Sequence, residues 1–596
     1  MQRKLISVLV AMTLCISVIG CSKKAASTNT SSNSIISSEN DKTTKIDANI
    51  KLDKTITVDG NGAKVENNKV IISSAGAYQI TGTLSDGQII VEAGDEDDVD
   101  IILNGVNITS SNSAPIYIKN AKNATLKLAE NSENILTDSS NYTYDNVEKE
   151  EPNGTIFSKC DLKIKGSGSL VVNGNFNHGI VSKDDLEIKN GNITVTAVND
   201  GIKGKDSIQV ADGTININCS GDAMQSSNDT DEAKGYVRID GGTFNLTTTS
   251  GTDSTASTKG IKAVTNIEIN GGEFNIDSYD DAIHSNNSIT INNGTINIAS
   301  EDDGIHSDSK LDINGGNINV TKSYEGLESE IININGGTIY VKASDDGINA
   351  AGGNDTQTEG RFGRPQDHFS GNSTGELNFN GGYVYVDANG DGLDANGSIN
   401  MTDGLVIVNG PENGGNGALD FDATCNITGG TLIAAGSLQM AQSPSTTSSQ
   451  NSVNIMVSQQ SANTLVHIED SNGNEIFTFA PSKAFQSVVV SSPNIKTDET
   501  YKVYVGGSST GTEKDGLYTD GQYSDGTEVT SFTVSSSVTT AAQDGISGGM
   551  MGPGGGPGGN RGQKPNNMDQ MSNDFNPDQM PPDFNREQMP GGENQP

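Results

Sequence analysis

A unit of about 22 residues returns through the middle of this chain and carries a similar short signature each time. "DDAIHS" at Asp280–Ser285 comes back as "DDGIHS" at Asp302–Ser307. The small residue of the unit is Gly179, Gly201, Ala223, Gly260, Ala282, Gly304, Gly326, Gly347, Gly392 and Ala418. Five of its nine gaps are 22 residues, one is 21 and three are longer. Each signature leads into a short alternating strand, a Gly turn and a second alternating strand. A fixed period of this length with β content is the mark of a solenoid, because one such unit cannot bury its apolar face alone.

The apolar positions form three ladders. The first is Ile180, Ile202, Met224, Ile261, Ile283, Ile305, Leu327, Ile348, Leu393 and Leu419. The second pairs Leu186 with Ile188, Ile267 with Ile269, Ile289 with Ile291, Leu311 with Ile313 and Ile332 with Ile334. The third pairs Phe244 with Leu246, Phe274 with Ile276, Ile296 with Ile298, Ile318 with Val320 and Val384 with Val386. Spacing of two puts each pair on one strand face. Three inward faces per unit predict an all-β chain built as a three-sided parallel β-helix. Nothing in the unit reads as helical, which excludes a leucine-rich repeat, and the period excludes a nine-residue calcium roll. With 71 Gly, no Trp and 5% aromatic residues, a core of large side chains is excluded as well.

The flanks differ from the repeats. Arg3 and Lys4 precede an apolar run, Leu5–Ile19, that is too short to span a bilayer and stops at Cys21. This is the pattern of a lipoprotein signal over residues 1–20 with lipid on Cys21. Residues 21–48 read as a Ser/Thr-rich tether, 49–437 as the β-helix with irregular first coils, and 438–540 as a C-terminal β domain or cap. Residues 541–596, rich in Gly, Pro, Met and Asn, cannot bury a core and read as disordered. Cys160, Cys219 and Cys425 are too few and too widely spaced for a disulfide framework; Cys425 falls on an apolar ladder position and reads as a buried thiol.

A formal charge of −39 excludes nucleic acid and anionic lipid as partners and leaves a membrane reached only through the lipid anchor. The acids are also patterned. Stacked coils lie about 4.8 Å apart, so Asp281, Asp303, Glu325 and Asp346 form one column, with Asp280, Asp302 and Asp345 beside it. Neighbouring carboxylates at that spacing repel by about 1 kcal/mol in water and about 3 at an effective dielectric of 20. Calcium–oxygen distances of about 2.4 Å let one Ca²⁺ bridge two coils, so these columns read as a Ca²⁺ site. Two residues after the small position runs another column: His284, His306, Glu328, Asn349, Asp394 and Asp420. The two His read as a solvated edge, with a transition metal as the sharper alternative, and the carboxylate end adds further oxygen donors.

Two features point to a glycan. Tyr340, Tyr383 and Tyr385 form an apolar patch on the outer third strand. It reads either as a stacking platform for sugar rings or as the seat of the C-terminal domain. The insertion after Ala350 carries Arg361 and Arg364, and Arg clamps carboxylates bidentately.

The units "DDGIHS", "EGLES", "DDGINAAGGND" and "GDGLDANGSI", with the run "NGALDFDATCNITGGTLIAAGS", resemble the clostridial carbohydrate-binding β-helix family over about Ile50 to Val538. Members are secreted or lipid-anchored, and the characterised representative is a calcium-binding parallel β-helix that binds cellulose and acidic sugars and is similar in fold to pectate lyases. The resemblance implies calcium on Asp280, Asp281, Asp302, Asp303, Asp345 and Asp346. The expected function is calcium-dependent binding of plant-type or acidic polysaccharide at the cell surface, without cleavage. A pectate-type lyase is the enzymatic alternative, with Lys203 or Lys262 as the base. A passive envelope spacer is the third reading.

Overall fold

The computed structural model describes residues 45–144, 150–250, 257–351 and 374–547. Lys45 apart, they fall within one compact unit. Every regular element among them is a strand, and they include no helix.

Forty-two strands join in one hydrogen-bonded sheet that is mostly parallel. Through the earlier repeats, each strand pairs with the one three places further along the chain, and where two strands of a later repeat run together the step becomes two. Ile202–Gly204 pairs with Met224–Ser226, Ser207–Val210 with Tyr236–Ile239, and Thr214–Cys219 with Thr243–Thr248. Three parallel ladders result. Ile180, Ile202, Met224, Ile261, Ile283, Ile305, Leu327, Ile348, Leu393 and Leu419 stand in register down the first. Leu186, Ile208, Val237, Ile267 and Ile289 line the second. Ile215, Phe244, Phe274 and Ile296 line the third, where the Phe244 and Phe274 rings stack at 4.6 Å. All are buried, and each contributes about 1.5–3 kcal/mol of transfer free energy. Cys425 continues the second ladder beside Ile399 as a free, buried thiol.

Steric demand explains the small residue of the unit. A Cβ on Gly326 would stand 2.3 Å from the Gly347 carbonyl oxygen and 2.1 Å from Val341 Cγ1. Strand-to-strand turns use glycines with positive φ, such as Gly316 at 91°. Beside them Asn side chains hydrogen-bond from coil to coil: Asn292 Nδ2 donates to Asn270 Oδ1 at 2.7 Å and Asn314 Nδ2 to Asn292 Oδ1 at 2.8 Å.

The two ends depart from the parallel pattern. At the start, antiparallel pairs Ala48–Leu52 with Thr57–Gly60 and Ala63–Glu66 with Lys69–Ile72 precede the regular coils. At the other end Thr431–Gly436 pairs antiparallel with Phe485–Ser491, which pairs with Ser452–Gln460. A six-stranded antiparallel sheet follows, containing Val466–Asp470, Glu475–Phe479 and Thr500–Val505. It shares a second hydrophobic core with Ile407 and Ile433 of the last coils.

Candidate functional site

The edge that precedes the first ladder carries the ionisable groups. The residue before the small position is His178, Asp200, Asp222, Lys259, Asp281, Asp303, Glu325, Asp346 and Asp391 in successive units. These acids have a structural task. Asp200 Oδ1 accepts the backbone N–H of Asp222 at 3.0 Å, Asp222 Oδ1 that of Lys259 at 2.9 Å, Asp281 Oδ1 that of Asp303 at 3.2 Å and Asp303 Oδ1 that of Glu325 at 3.1 Å. Each carboxylate thus ties its coil to the next through one oxygen and keeps the other for a side chain. That second partner comes from three residues on, which the strand turns back toward it. Asp200 takes Lys203 at 3.0 Å, Asp222 takes Gln225 at 2.6 Å, Asp281 takes His284 at 2.8 Å and Asp303 faces His306 at 3.4 Å. The facing column runs in register: Lys203, Gln225, Lys262, His284, His306, Glu328, Asn349, Asp394, Asp420.

Charge balance changes along this edge. Lys259 occupies an acid's place and reaches Asp280 at 2.9 Å and Asp281 at 2.5 Å. Burial opposes ionisation of Asp281, yet Lys259, His284 and His306 hold its carboxyl well below the usual carboxylate range. Asp302 lies within 4.8 Å of Asp280 and Asp281, so an ammonium sits where a cation was expected. His284 and His306 are 5% and 0% exposed, and their rings meet edge to face at 4.9 Å. The solvated edge expected from the sequence is a buried one, because the Asp at the third position back draws each imidazole inward.

Beyond His306 the compensating cations give way to acids. Burial, Glu328 and Asp303 push the Glu325 carboxyl well above its ordinary range; its Oε2 accepts Asn349 Nδ2 at 2.9 Å. Asp346, Asp391 and Asp394 bring their oxygens within 4.8 Å of one another. Asp391 is pushed up to about 8, by burial first and then by Asp346 and Asp420. Burial, Asp346 and Asp391 likewise raise Asp394. Asn349 stands beside Asp394 in register. Its Nδ2 is committed to Glu325, one coil back; its Oδ1 is buried with no hydrogen-bond partner, in a residue 8% exposed.

Of the residues expected to hold a metal, the structure therefore gives Asp280 and Asp281 to Lys259, leaves Asp302 exposed next to them, and sets Asp303 and Glu325 beside His306 and Asn349. Asp345 lies beside Tyr324. Only Asp346 joins Asp391 and Asp394. Asp391 enters the group without being among the expected ligands; its place one residue before Gly392, the acid position of the unit, is the signal the sequence carries for it. Lys203 is held by Asp200, and Lys262 by Ser257 at 3.0 Å with Asp222 at 3.9 Å.

The tyrosines face the C-terminal domain. Tyr383 and Tyr385 pack against its core. Tyr340 Oη donates to Asp515 Oδ2 at 2.9 Å, Tyr383 Oη donates to the same carboxylate, and Lys514 Nζ stands 3.6 Å from the Tyr383 ring centre. Tyr340 also closes a shallow hollow of about 410 Å³ lined by Thr295, Asn297, Asn317 and Thr338. Arg361, Arg364 and Cys21 lie outside the described residues.

Stacked parallel strands with a charged edge define a repeat-built, all-β protein. A family described as carbohydrate-binding domain-containing protein matches residues 66–253, 247–304 and 291–362, together just under half of the chain. Over those residues the chain is similar to that carbohydrate-binding domain family. A carbohydrate-binding domain-containing protein of Acetivibrio thermocellus is 43% identical over 155 residues, 25% of this chain and 54% of the relative. The match thus spans about half the length of that relative. A solved structure of a polysaccharide lyase-like protein from C. thermocellum, a gadolinium derivative, is 35% identical, with a TM-score of 0.38, and the alignment covers 45% of this chain and 97% of that one.

Proposed function

We propose that this chain is a calcium-dependent carbohydrate-binding lipoprotein of the bacterial cell surface, which holds plant-type or acidic polysaccharide without cleaving it. The carbohydrate reading rests on the family match, and the anchoring on Cys21 at the end of its apolar run. The winding we infer is a three-sided parallel β-helix, supported by three parallel ladders in which strands of the earlier repeats pair with the third one on.

The observation that carries calcium is the group Asp346, Asp391 and Asp394 with the orphaned Oδ1 of Asn349. A buried carbonyl oxygen without a donor costs about 1–3 kcal/mol, and three carboxylates within 4.8 Å of one another repel. One hard cation would relieve that repulsion, Asn349 stands in register beside Asp394 to offer a further oxygen, and oxygen donors of this kind suit Ca²⁺. Such an ion would attract a uronate to an otherwise repelling chain. Tyr340, at the rim of the hollow, is the residue left to touch a neutral glucan such as cellulose; Arg361 and Arg364 remain candidates for the acidic ligand.

A glycan array read with Ca²⁺ and with excess chelator tests this. Polygalacturonate binding that disappears with chelator and in Asp391→Asn with Asp394→Asn supports the reading. Equal binding in both conditions overturns calcium dependence, and binding to no glycan overturns the whole. Growth of unsaturated-product absorbance, abolished by Lys203→Ala or Lys262→Ala, would establish the lyase instead.

A further inference from the structure

The facing column that carries Lys203 and its successors begins differently in the first coils. There it reads Ile90, Tyr117, Phe157 and Val181, in register from strand to strand. Tyr142 packs over the last three of these. Its hydroxyl donates to Asp138 Oδ2 at 2.7 Å, its ring stacks on Phe176 at 4.2 Å, and the next amide, Thr143 N–H, donates to the Asn112 carbonyl at 2.9 Å. Beside this cover a pocket of about 330 Å³ stays open, with Ile90 and Tyr117 on the strand side and Thr143, Tyr144 and Pro152 on the other. Small-ligand sites run from roughly 300 to 1,000 Å³, so this volume holds one ring and not a chain.

The pocket inverts the charge of the molecule. Lys69, Lys119 and Lys159 line it, with Glu151 as the acid among its lining residues. Adding the ion-pair partners Lys183 and Glu92, four ammonium groups (Lys69, Lys119, Lys159 and Lys183) stand against two carboxylates, in a chain of net charge −39. Glu151 is shared between Lys159 at 2.8 Å and Lys183 at 3.3 Å. Lys119 and Glu92 pair at 2.9 Å but keep 35% and 45% side-chain exposure. Ion pairs this wet are weak, so the Lys119 ammonium can turn to an incoming anion, and Lys69 is exposed. Tyr144 adds an aromatic face, and Asn112, Ser113 and Thr143 add polar edges. The carbohydrate-binding family match over residues 66–253 contains every one of these residues.

We propose that this pocket is a second carbohydrate site, separate from the calcium group, which takes one carboxylate-bearing sugar ring without a metal. The ring is a free uronic acid or the end unit of an acidic chain. The inference rests on the carbohydrate reading above. Lys69, Lys119 and Lys159 receive the carboxylate, and Tyr144 receives the ring. A long polymer offers this pocket only its end, so the interior of polygalacturonate stays with the calcium group.

The test uses the full chain with excess chelator throughout, titrated with galacturonate and with its neutral counterpart galactose, and read by ligand-observed NMR. Galacturonate should bind more tightly than galactose by roughly tenfold or more. That gap should narrow between 0.1 and 1 M salt, as the Debye length falls from about 10 to about 3 Å. Lys69→Gln with Lys119→Gln should erase most of the gap and leave the melting temperature in place, because neither lysine is buried. Tyr144→Ala should weaken both sugars, and Lys502→Gln, a half-exposed lysine of the C-terminal sheet, should weaken neither. No galacturonate uptake, or equal affinity for the two sugars, overturns the pocket. Inorganic phosphate that competes as well as galacturonate, with Tyr144→Ala without effect, makes it a plain anion site and overturns the sugar. Calcium-dependent polygalacturonate binding without galacturonate uptake in chelator removes this pocket alone; the reverse result removes the calcium reading alone.

Discussion

Lys259 Nζ stands 2.5 Å from Oδ2 of Asp281 in the next coil, with the two side chains 11% and 2% exposed. A lysine has replaced the acid of its own unit, and its ammonium neutralises the acids of the next. Burial works against its charge, but Asp281 and Asp280 hold the Lys259 ammonium above its ordinary range. Removing it leaves a buried carboxylate without its counter-ion. Lys259→Met should therefore destabilise the chain by about 3–5 kcal/mol, read from urea unfolding; a loss below about 1 kcal/mol would show that the pair is not what holds these coils.

Calcium should raise the melting temperature through the Asp346 group. A ligand that binds only the native state at 100 times its Kd adds about 2.7 kcal/mol. Melts with Ca²⁺ and with chelator should separate by several degrees. Asp391→Asn with Asp394→Asn should close that gap, while Asp280→Asn should leave most of it, because Lys259 already serves Asp280. Superimposed melts of the unaltered chain would remove the calcium reading.

The tyrosine patch should behave first as a contact between coils and C-terminal domain. Tyr383→Phe deletes the hydroxyl that donates to Asp515 and should cost toward the lower end of about 1.5–3 kcal/mol. Asp515→Asn should cost a similar amount, and the double variant less than the sum. Glucan binding should follow Tyr340→Ala and be indifferent to Tyr383→Phe; the opposite pattern would make Tyr383 the glycan residue.

Acid sensitivity of the C-terminal sheet should trace to His467. Its ring stacks on Tyr523 at 3.9 Å. Thr478 Oγ1 donates to Glu475 Oε2 at 2.6 Å and so accepts from His467 Nδ1 at 2.7 Å, which places a proton on Nδ1. Burial lowers its affinity for a second proton, although Glu475 and Glu469 pull the other way. With the folded value below the unfolded one of about 6.5, the contribution is fully present above about pH 6.5. It declines as pH falls toward the folded value, by up to about 1.4 kcal/mol per pH unit. Between pH 7.5 and 5 the urea midpoint should fall more for the unaltered chain than for His467→Gln; parallel profiles would reject the assignment.

The sequence by itself determined the stacking. A 22-residue period, apolar pairs two residues apart and a small residue at one place per unit leave few ways to bury the chain. The register of Ile283 on Ile305 on Leu327 follows from that spacing alone, because slipping a strand by one residue would turn its apolar face outward. The same register puts His284 over His306 and Asp394 over Asn349. What only the tertiary structure decided is how charge is shared along that edge. Whether an acid is paired, starved or bridged depends on side-chain reach between coils, which a list of positions does not contain. Lys259 stands in an irregular stretch, 37 residues after the previous unit, and nothing in the spacing says that its ammonium turns toward Asp281 and away from solvent. The C-terminal domain covers Tyr383 for a like reason. It reaches the tyrosines through contacts more than 90 residues distant in sequence, Tyr385 with Ser482 and Tyr383 with Asp515, and local periodicity carries no information at that range.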